Sequence, residues 1–314
     1  MTSSSSCVRC LGNISAKVGK PTDDEFLIGY GSKMEEPENL QEIIDRYDAV
    51  FCDVWGVIHN GVHAFKEAVA ALIKVRQSGK SVILLTNSPR PHDGVAKQLA
   101  SLKIGSDVYD DIVTSGDATR HLIKEAPRKV FHIGPERDLA LFDGLDVELV
   151  EEFEATSIVC TGLFDDEHEE PDDYHDLLLR LRSKNLPFIC ANPDITVHHG
   201  DKILWCAGAL ARAYEQLGGR TLIAGKPHRP IYDLAMDKLA ERKGRIAKDR
   251  ILAIGDGILT DMKGGQQYGL DTLYISGGIH QNEYAKDGDI NRSFLTEFLN
   301  KYGSQPIATM WTLK

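Results

Sequence analysis

The chain has 314 residues, 42% hydrophobic and 26% charged, enough for one large domain or two ordinary ones. A formal net charge of −11 argues against nucleic acid or an anionic membrane as partner, since both reward a basic face. No apolar run approaches the roughly 18 residues that a membrane span needs.

Residues 1–40 read as a flexible extension. The stretch is Ser-rich at its start and carries Arg9, Lys17 and Lys20, with no acid before Asp23. Transit peptides share that composition, so the expected compartment is cytoplasmic, with an organelle as the alternative. Cys7 and Cys10 form a single C-x-x-C without the second pair a zinc site needs. Cys52, Cys160, Cys190 and Cys206 lie in or beside apolar runs and read as small core residues, in keeping with a reducing compartment.

From residue 48 short β-like runs alternate with helical patterns. "AVFCD" precedes a helix with Phe65, Ala68, Val69, Leu72 and Ile73 on one stripe, closed by Gly79. "SVILLTN", a helix around "VAKQLASL", "DIVTSG" and the helix "DATRHLIKEA" follow, up to Pro127. A second series runs through "KVFHIG", "SIVCTGL", a helix with Tyr174, Leu177, Leu178 and Leu181 on one face, and "PFICAN". It continues with two short strands, "ITVHHG" and "KILWCAG", and the helix "ALARAYEQLG". After Gly218-Gly219 a third series holds "TLIAGK", a helix carrying Ile231, Leu234, Ala235 and Leu239, then "RILAIGDG", "TLYISGG", a helix around "FLTEFLNKYG" and the terminal "PIATMWTL". This alternation predicts an α/β fold with a doubly wound parallel sheet and function at the carboxyl ends of its strands.

Four polar clusters stand at those ends: Asp53, Thr86-Asn87-Ser88, Lys226, and Asp256 with Asp261. Each alone is compatible with a turn or a helix cap. Together they match the needs of phosphoryl transfer to a carboxylate: a nucleophile, a cation, and donors around the transferring oxygens. Asp53 supplies the nucleophile, and Asp256 and Asp261 the oxygen ligands that Mg²⁺ prefers. Thr86 offers a hydroxyl, Asn87 a backbone amide and Lys226 a positive charge.

The motifs "DVWGVIHNG", "LLTNSPR", "VTSGDAT", "NPD" with the downstream "GALARAYEQLGG", "AGKPHRPIYDLA" and "AIGDGILTDMKGG" occur in that order. Over residues 48–280 the sequence resembles the haloacid dehalogenase superfamily of aspartate-nucleophile hydrolases, in particular its subclass IIA of sugar- and nucleotide-phosphate phosphatases. The resemblance implies a Rossmann-like core, residues 41–127 and 221–314, with an inserted α/β cap, residues 128–220. It implies an aspartyl-phosphate on Asp53, and Mg²⁺ held by Asp53, the backbone carbonyl of Trp55 and Asp256, with Asp261 as a further ligand or acting through a water. Thr86, Asn87, Ser88 and Lys226 would hold the phosphoryl oxygens, and Asn192 and Asp194 would reach the substrate from the cap. The implied partner is a small-molecule phosphate, and relatives of this subclass often dimerise through their caps.

The resemblance fails at one position. Phosphatases of the family carry a second aspartate two residues after the nucleophile, where it donates and then accepts a proton; here the residue is Trp55. General acid–base catalysis is worth about 10²–10⁴-fold. Three readings follow. The protein is a Mg²⁺-dependent phosphohydrolase for acyl, aryl or anhydride phosphates, or one with a replacement acid, for which His59 is the nearest titratable candidate. Alternatively it is a Mg²⁺- and phosphate-binding sensor that has lost turnover. The third reading, a dehalogenase-like hydrolase, is disfavoured by the presence of Asp256, Asp261 and Lys226. The acidic run Asp165–Asp176 reads as a solvated helix N-terminus, His198-His199 as an exposed turn, and Trp205 as cap core or interface.

Overall fold

The computed structural model describes residues 34–200, 202–286 and 289–314; the Ser-rich segment with Cys7 and Cys10 lies outside them. Of the span 1–40 expected as an extension, residues 34–40 are described and run against the first sheet. The Glu35 amide donates to the Ile307 carbonyl at 2.9 Å, and Leu40 is fully buried, because the chain runs along the sheet edge here.

In chain order, α1 (Gln41–Ile44), β1 (Ala49–Cys52), α2 (Lys66–Gln77), β2 (Ser81–Thr86), α3 (His92–Ser101), β3 (Asp111–Thr114) and α4 (Ser115–Glu125) come first. Next are β4 (Lys129–Ile133), β5 (Glu148–Leu149), β6 (Ser157–Cys160), α5 (His175–Ser183), β7 (Phe188–Cys190), β8 (Thr196–His199), β9 (Lys202–Trp205), α6 (Ala207–Gln216) and β10 (Thr221–Ile223). The chain ends with α7 (Arg229–Lys243), β11 (Ile251–Gly255), α8 (Lys263–Tyr268), β12 (Asp271–Ile275), the short pair β13 (Ala285–Lys286) and β14 (Asp289–Ile290), α9 (Arg292–Lys301) and β15 (Ala308–Met310).

One six-stranded parallel sheet has the order β15-β12-β11-β1-β2-β3. Its central strands are apolar throughout because both faces are covered. Val50 and Cys52 point into a cluster with Leu72 and Val75 of α2 and Leu99 of α3. Ala49 and Phe51 point the other way, toward Ala118 of α4 and Ile231, Ala235 and Leu239 of α7. The chain winds outward from β1 through β3 and later returns on the other side from β11 to β15. The direction therefore reverses between β1 and β11, which opens a crevice at their carboxyl ends.

A second parallel sheet has the order β10-β7-β6-β4-β5. Phe188, Cys190 and Cys160 pack under Leu178 and Leu181 of α5 and Leu210 and Tyr214 of α6. Strand β10 corrects the boundary expected at residue 221: it pairs with β7, Leu222 opposite Ile189, and Leu222 packs with Val130 and Val159. The chain rejoins the first sheet's cluster only at Ala224, so its "TLI" completes the second sheet. Strands β8 and β9 form a separate antiparallel hairpin.

Candidate active site

Strands β1 and β11 lie side by side with Cys52 opposite Ile254, so the residues that follow them emerge together. Asp53 anchors its own amide on the Ile254 carbonyl at 2.8 Å. The Asp53, Asp256 and Asp261 carboxylates are buried, with one oxygen of each within 4.8 Å of the others. Asp256 accepts the Ile279 amide at 2.8 Å, and Asp261 accepts the Gly257 amide at 3.0 Å. The backbone comes close because it carries no side chain. Gly56 has φ +78°, and a Cβ there would stand 2.1 Å from an Asp256 oxygen; one on Gly278 would stand equally close.

Lys226 Nζ, buried, donates to Asp53 at 2.5 Å and to Asp261 at 2.7 Å. Burial, and then Asp261, push the Asp53 carboxyl well above its ordinary range, and the same causes lift Asp256 to about 7. Burial alone would lower the Lys226 pKa, but Asp261 and Asp53 outweigh it and hold the ammonium well above its usual value. Asp194 is also raised, first by burial, and lies in the same cavity. Four carboxylates thus converge around one ammonium. A buried set of hard oxygen donors with this charge deficit fits a divalent cation such as Mg²⁺.

Thr86 ends β2 and lines the cavity with Ser88, whose amide donates to the Thr86 hydroxyl at 3.2 Å. Asn87, between them, is 2% exposed and turns its side chain toward Lys226 and Asp194. Asn192 and Asp194 face the cavity from the turn after β7, and the Asn192 side chain accepts the Asp194 amide at 3.2 Å. Asp53, Trp55, Thr86, Ser88, Asn192, Asp194, Lys226, Asp256 and Asp261 all line one cavity of about 730 Å³, while Asn87 is buried behind it.

Trp55 forms part of the cavity wall, its ring edge-on to His59 at 4.9 Å and 6.1 Å from His199. A Cβ on Gly61, φ +85°, would stand 2.5 Å from the indole, so the loop is shaped around that ring. His59, the candidate replacement acid, lies outside the cavity lining. It is 1% exposed, its Nδ1 accepts the Gly61 amide at 2.9 Å, and burial lowers its pKa to about 4. The hairpin is exposed at His199, Ile203 and Trp205, yet His198, His199 and Trp205 also line the cavity, and Gly200 is tied to the Asn60 carbonyl at 2.9 Å. The acidic run does cap a helix, through the reciprocal Glu170–Asp173 box, but Asp166 faces the cavity and pairs with Arg137.

Sequence reasoning missed the Ile279 amide under Asp256, for which the only signal was a "SGG" after β12. It also missed Arg90, which lines the cavity and reaches the buried Asp138 of the second-sheet region at 3.3 Å. No local pattern distinguishes that arginine from a surface one.

Residues 50–148 match the family profile described as haloacid dehalogenase-like hydrolase, and residues 223–301 match a second described as HAD-hydrolase-like. A solved haloacid dehalogenase-like hydrolase from Brucella suis 1330 is 59% identical, with 88% of this chain and 100% of that one covered and a TM-score of 0.81. The chain belongs to the haloacid dehalogenase-like hydrolases. Among curated proteins it is 27% identical to the ribonucleotide monophosphatase NagD of Escherichia coli K12, over 73% of this chain and 88% of that one. It is 26% identical to the chloroplastic phosphoglycolate phosphatase 1A of Arabidopsis thaliana, over 98% of this chain and 90% of that protein. Among the described residues no helix is long and apolar enough to cross a membrane.

Proposed function

We propose that this hydrolase is a Mg²⁺-dependent phosphohydrolase that cleaves activated phosphates (acyl, aryl or anhydride) of a small metabolite through a phospho-Asp53 intermediate. The observation that carries the reading is the buried Asp53–Lys226–Asp261 chain beside Asp256 and Thr86, with Trp55 where a proton donor would stand. Asp53, Asp256, Asp261 and the Trp55 carbonyl would hold the cation, which when bound offsets charge on the phosphoryl group. Lys226 opposes the upward push on the Asp53 carboxyl and orients it. The Thr86 hydroxyl and the Asn87 amide orient the phosphoryl oxygens, with Ser88 beside them and Asn192 and Asp194 above them.

An Asp53 oxygen forms a bond to phosphorus as the bond to the leaving oxygen breaks. The leaving group departs as an anion, because Trp55 has no proton to give and His59 is neutral and outside the cavity wall. Water then attacks phosphorus, the Asp53–phosphorus bond breaks, and both water protons stay with the released phosphate, which leaves as H₂PO₄⁻. Trp55 also favours a second reading, a Mg²⁺- and phosphate-binding sensor without turnover.

Purified protein with Mg²⁺ is mixed with acetyl phosphate or p-nitrophenyl phosphate, alongside Asp53→Asn. Steady release that needs both Mg²⁺ and Asp53 supports the enzyme. A burst ending at one equivalent means that the phosphoenzyme forms and stalls. No release, with Mg²⁺ still bound, favours the sensor.

The strongly negative net charge supports a small-molecule partner over nucleic acid. Pairing of two copies through the second-sheet region is supported by Phe153, 75% exposed there. The reading places the protein in the cytoplasm, or in an organelle if the Ser-rich start is a transit peptide.

A further inference from the structure

Asn87 sits where three segments meet: the turn after β2, the Lys226 loop and the Asn192-Pro193-Asp194 turn. Its side-chain oxygen accepts the Lys226 amide at 2.7 Å, while its NH₂ donates to Asp194 at 2.8 Å and to the Lys226 carbonyl at 3.2 Å. The amide orientation is forced, because the Lys226 N–H needs an acceptor and the Asp194 carboxylate needs a donor. The junction is tight. A Cβ on Gly225 would stand 2.5 Å from Ser115, 2.7 Å from the Asn87 oxygen and 2.7 Å from Pro193. From the far side of the same lysine, Nζ bridges Asp53 and Asp261.

We infer that Asp194 is a positioning residue: through the Asn87 amide it fixes the Lys226 backbone, and so places the ammonium between Asp53 and Asp261 when the Asn192–Asp194 turn is seated. Asp194 transfers no proton in this role. The turn leads from β7 of the second sheet, so seating that region over the cavity and completing the nucleophile's charge environment are one event. The inference rests on the phosphohydrolase reading for its kinetic consequence but not for its structural one.

The test uses Asn87→Asp, Asp194→Ala and the double variant Asn87→Asp/Asp194→Asn in the full chain. Asn87→Asp turns a carboxylate oxygen toward both Asp194 and the Lys226 carbonyl, and should lower kcat on acetyl phosphate about tenfold, the size of coupling expected between contacting residues. The double variant restores a donor–acceptor pair in the reversed sense and should recover most of that loss, with KM changing less than kcat. Hydrogen exchange is measured on the metal-free proteins without substrate. Asp194→Ala should speed exchange at the Lys226 amide about tenfold, with the β2 amides unchanged as the control for folding. A double variant no better than Asn87→Asp, or a Lys226 amide equally protected in Asp194→Ala, would overturn the inference. If the unaltered protein turns over no phosphate, the function proposed above fails, while the exchange result still decides this one.

Discussion

Replacing Trp55 by aspartate tests the central claim, that the missing proton donor sets which phosphates are cleaved. The indole packs against the main cluster and borders the cavity. Removing a fully buried Trp costs about 3–5 kcal/mol, so this half-buried ring should cost about 2 kcal/mol, which leaves the protein folded. The new carboxyl would stand two residues after Asp53, in space that the ring vacates beside Gly61. A positioned acid contributes about 10²–10⁴-fold, or about 3–5 kcal/mol of barrier, to a leaving group that needs a proton. A carboxylate added to four others recovers only part of this. The expected gain in kcat/KM on alkyl phosphates is about tenfold or more, with little change on p-nitrophenyl phosphate, whose leaving group needs no proton. The assay is the ratio of the two kcat/KM values, compared between the variant and the parent protein. A folded, Mg²⁺-binding variant whose ratio does not move would refute the argument.

Asp53→Asn should abolish steady turnover, by about 10⁴-fold or more, without loss of fold on a thermal scan. Lys226→Met leaves Asp53 and Asp261 buried without their cation, so the metal-free protein should lose about 3–5 kcal/mol in urea unfolding. Mg²⁺ at about 100 times its Kd should stabilise the parent protein by about 2.7 kcal/mol, and EDTA should reverse that shift in Tm. Burial pushes His59 and His132 each down to about 4. The unfolded chain therefore binds protons at these sites below about pH 6.5 that the folded chain takes up only near pH 4, and stability rises with pH across that window. His59 alone is worth about 3 kcal/mol, lost as pH falls through it, and His132→Gln should flatten the slope measured by urea unfolding at stepped pH.

The parallel sheet was legible because its strands, such as "SVILL" and "ILAIG", are unbroken apolar runs that end in polar residues. Asp53, Thr86 and Asp256 stood out for the same reason: each ends or directly follows a strand of that sheet, and its winding brings strand ends together, with Asp261 in the next turn after β11, while Lys226 follows β10 of the second sheet. What escaped notice depends on side-chain direction across long sequence separations. Nothing near Thr221 shows that "TLI" pairs with β7 before the chain turns back at Ala224. Nothing near Asn87 shows that its amide faces a lysine 139 residues away. His59 looked available because a loop position does not reveal that Gly61 takes its Nδ1 and the surrounding loop buries the ring.

The substitution at position 55 separates two tasks that one loop otherwise combines. In the proposed reading the cation ligand at this position would be a backbone carbonyl, which tryptophan supplies as well as aspartate, while proton transfer needs a carboxyl side chain, which tryptophan lacks. In the same reading, the three buried carboxylates and Lys226 would bind a cation and a phosphoryl group whatever stands at position 55. Only the fate of the leaving oxygen changes. Because position 55 carries no carboxyl and His59 is buried outside the cavity lining, the burden falls on the substrate, whose leaving group must carry the negative charge itself. The choice of substrate, rather than the affinity for metal or phosphate, is therefore where this protein should differ from the relatives it resembles.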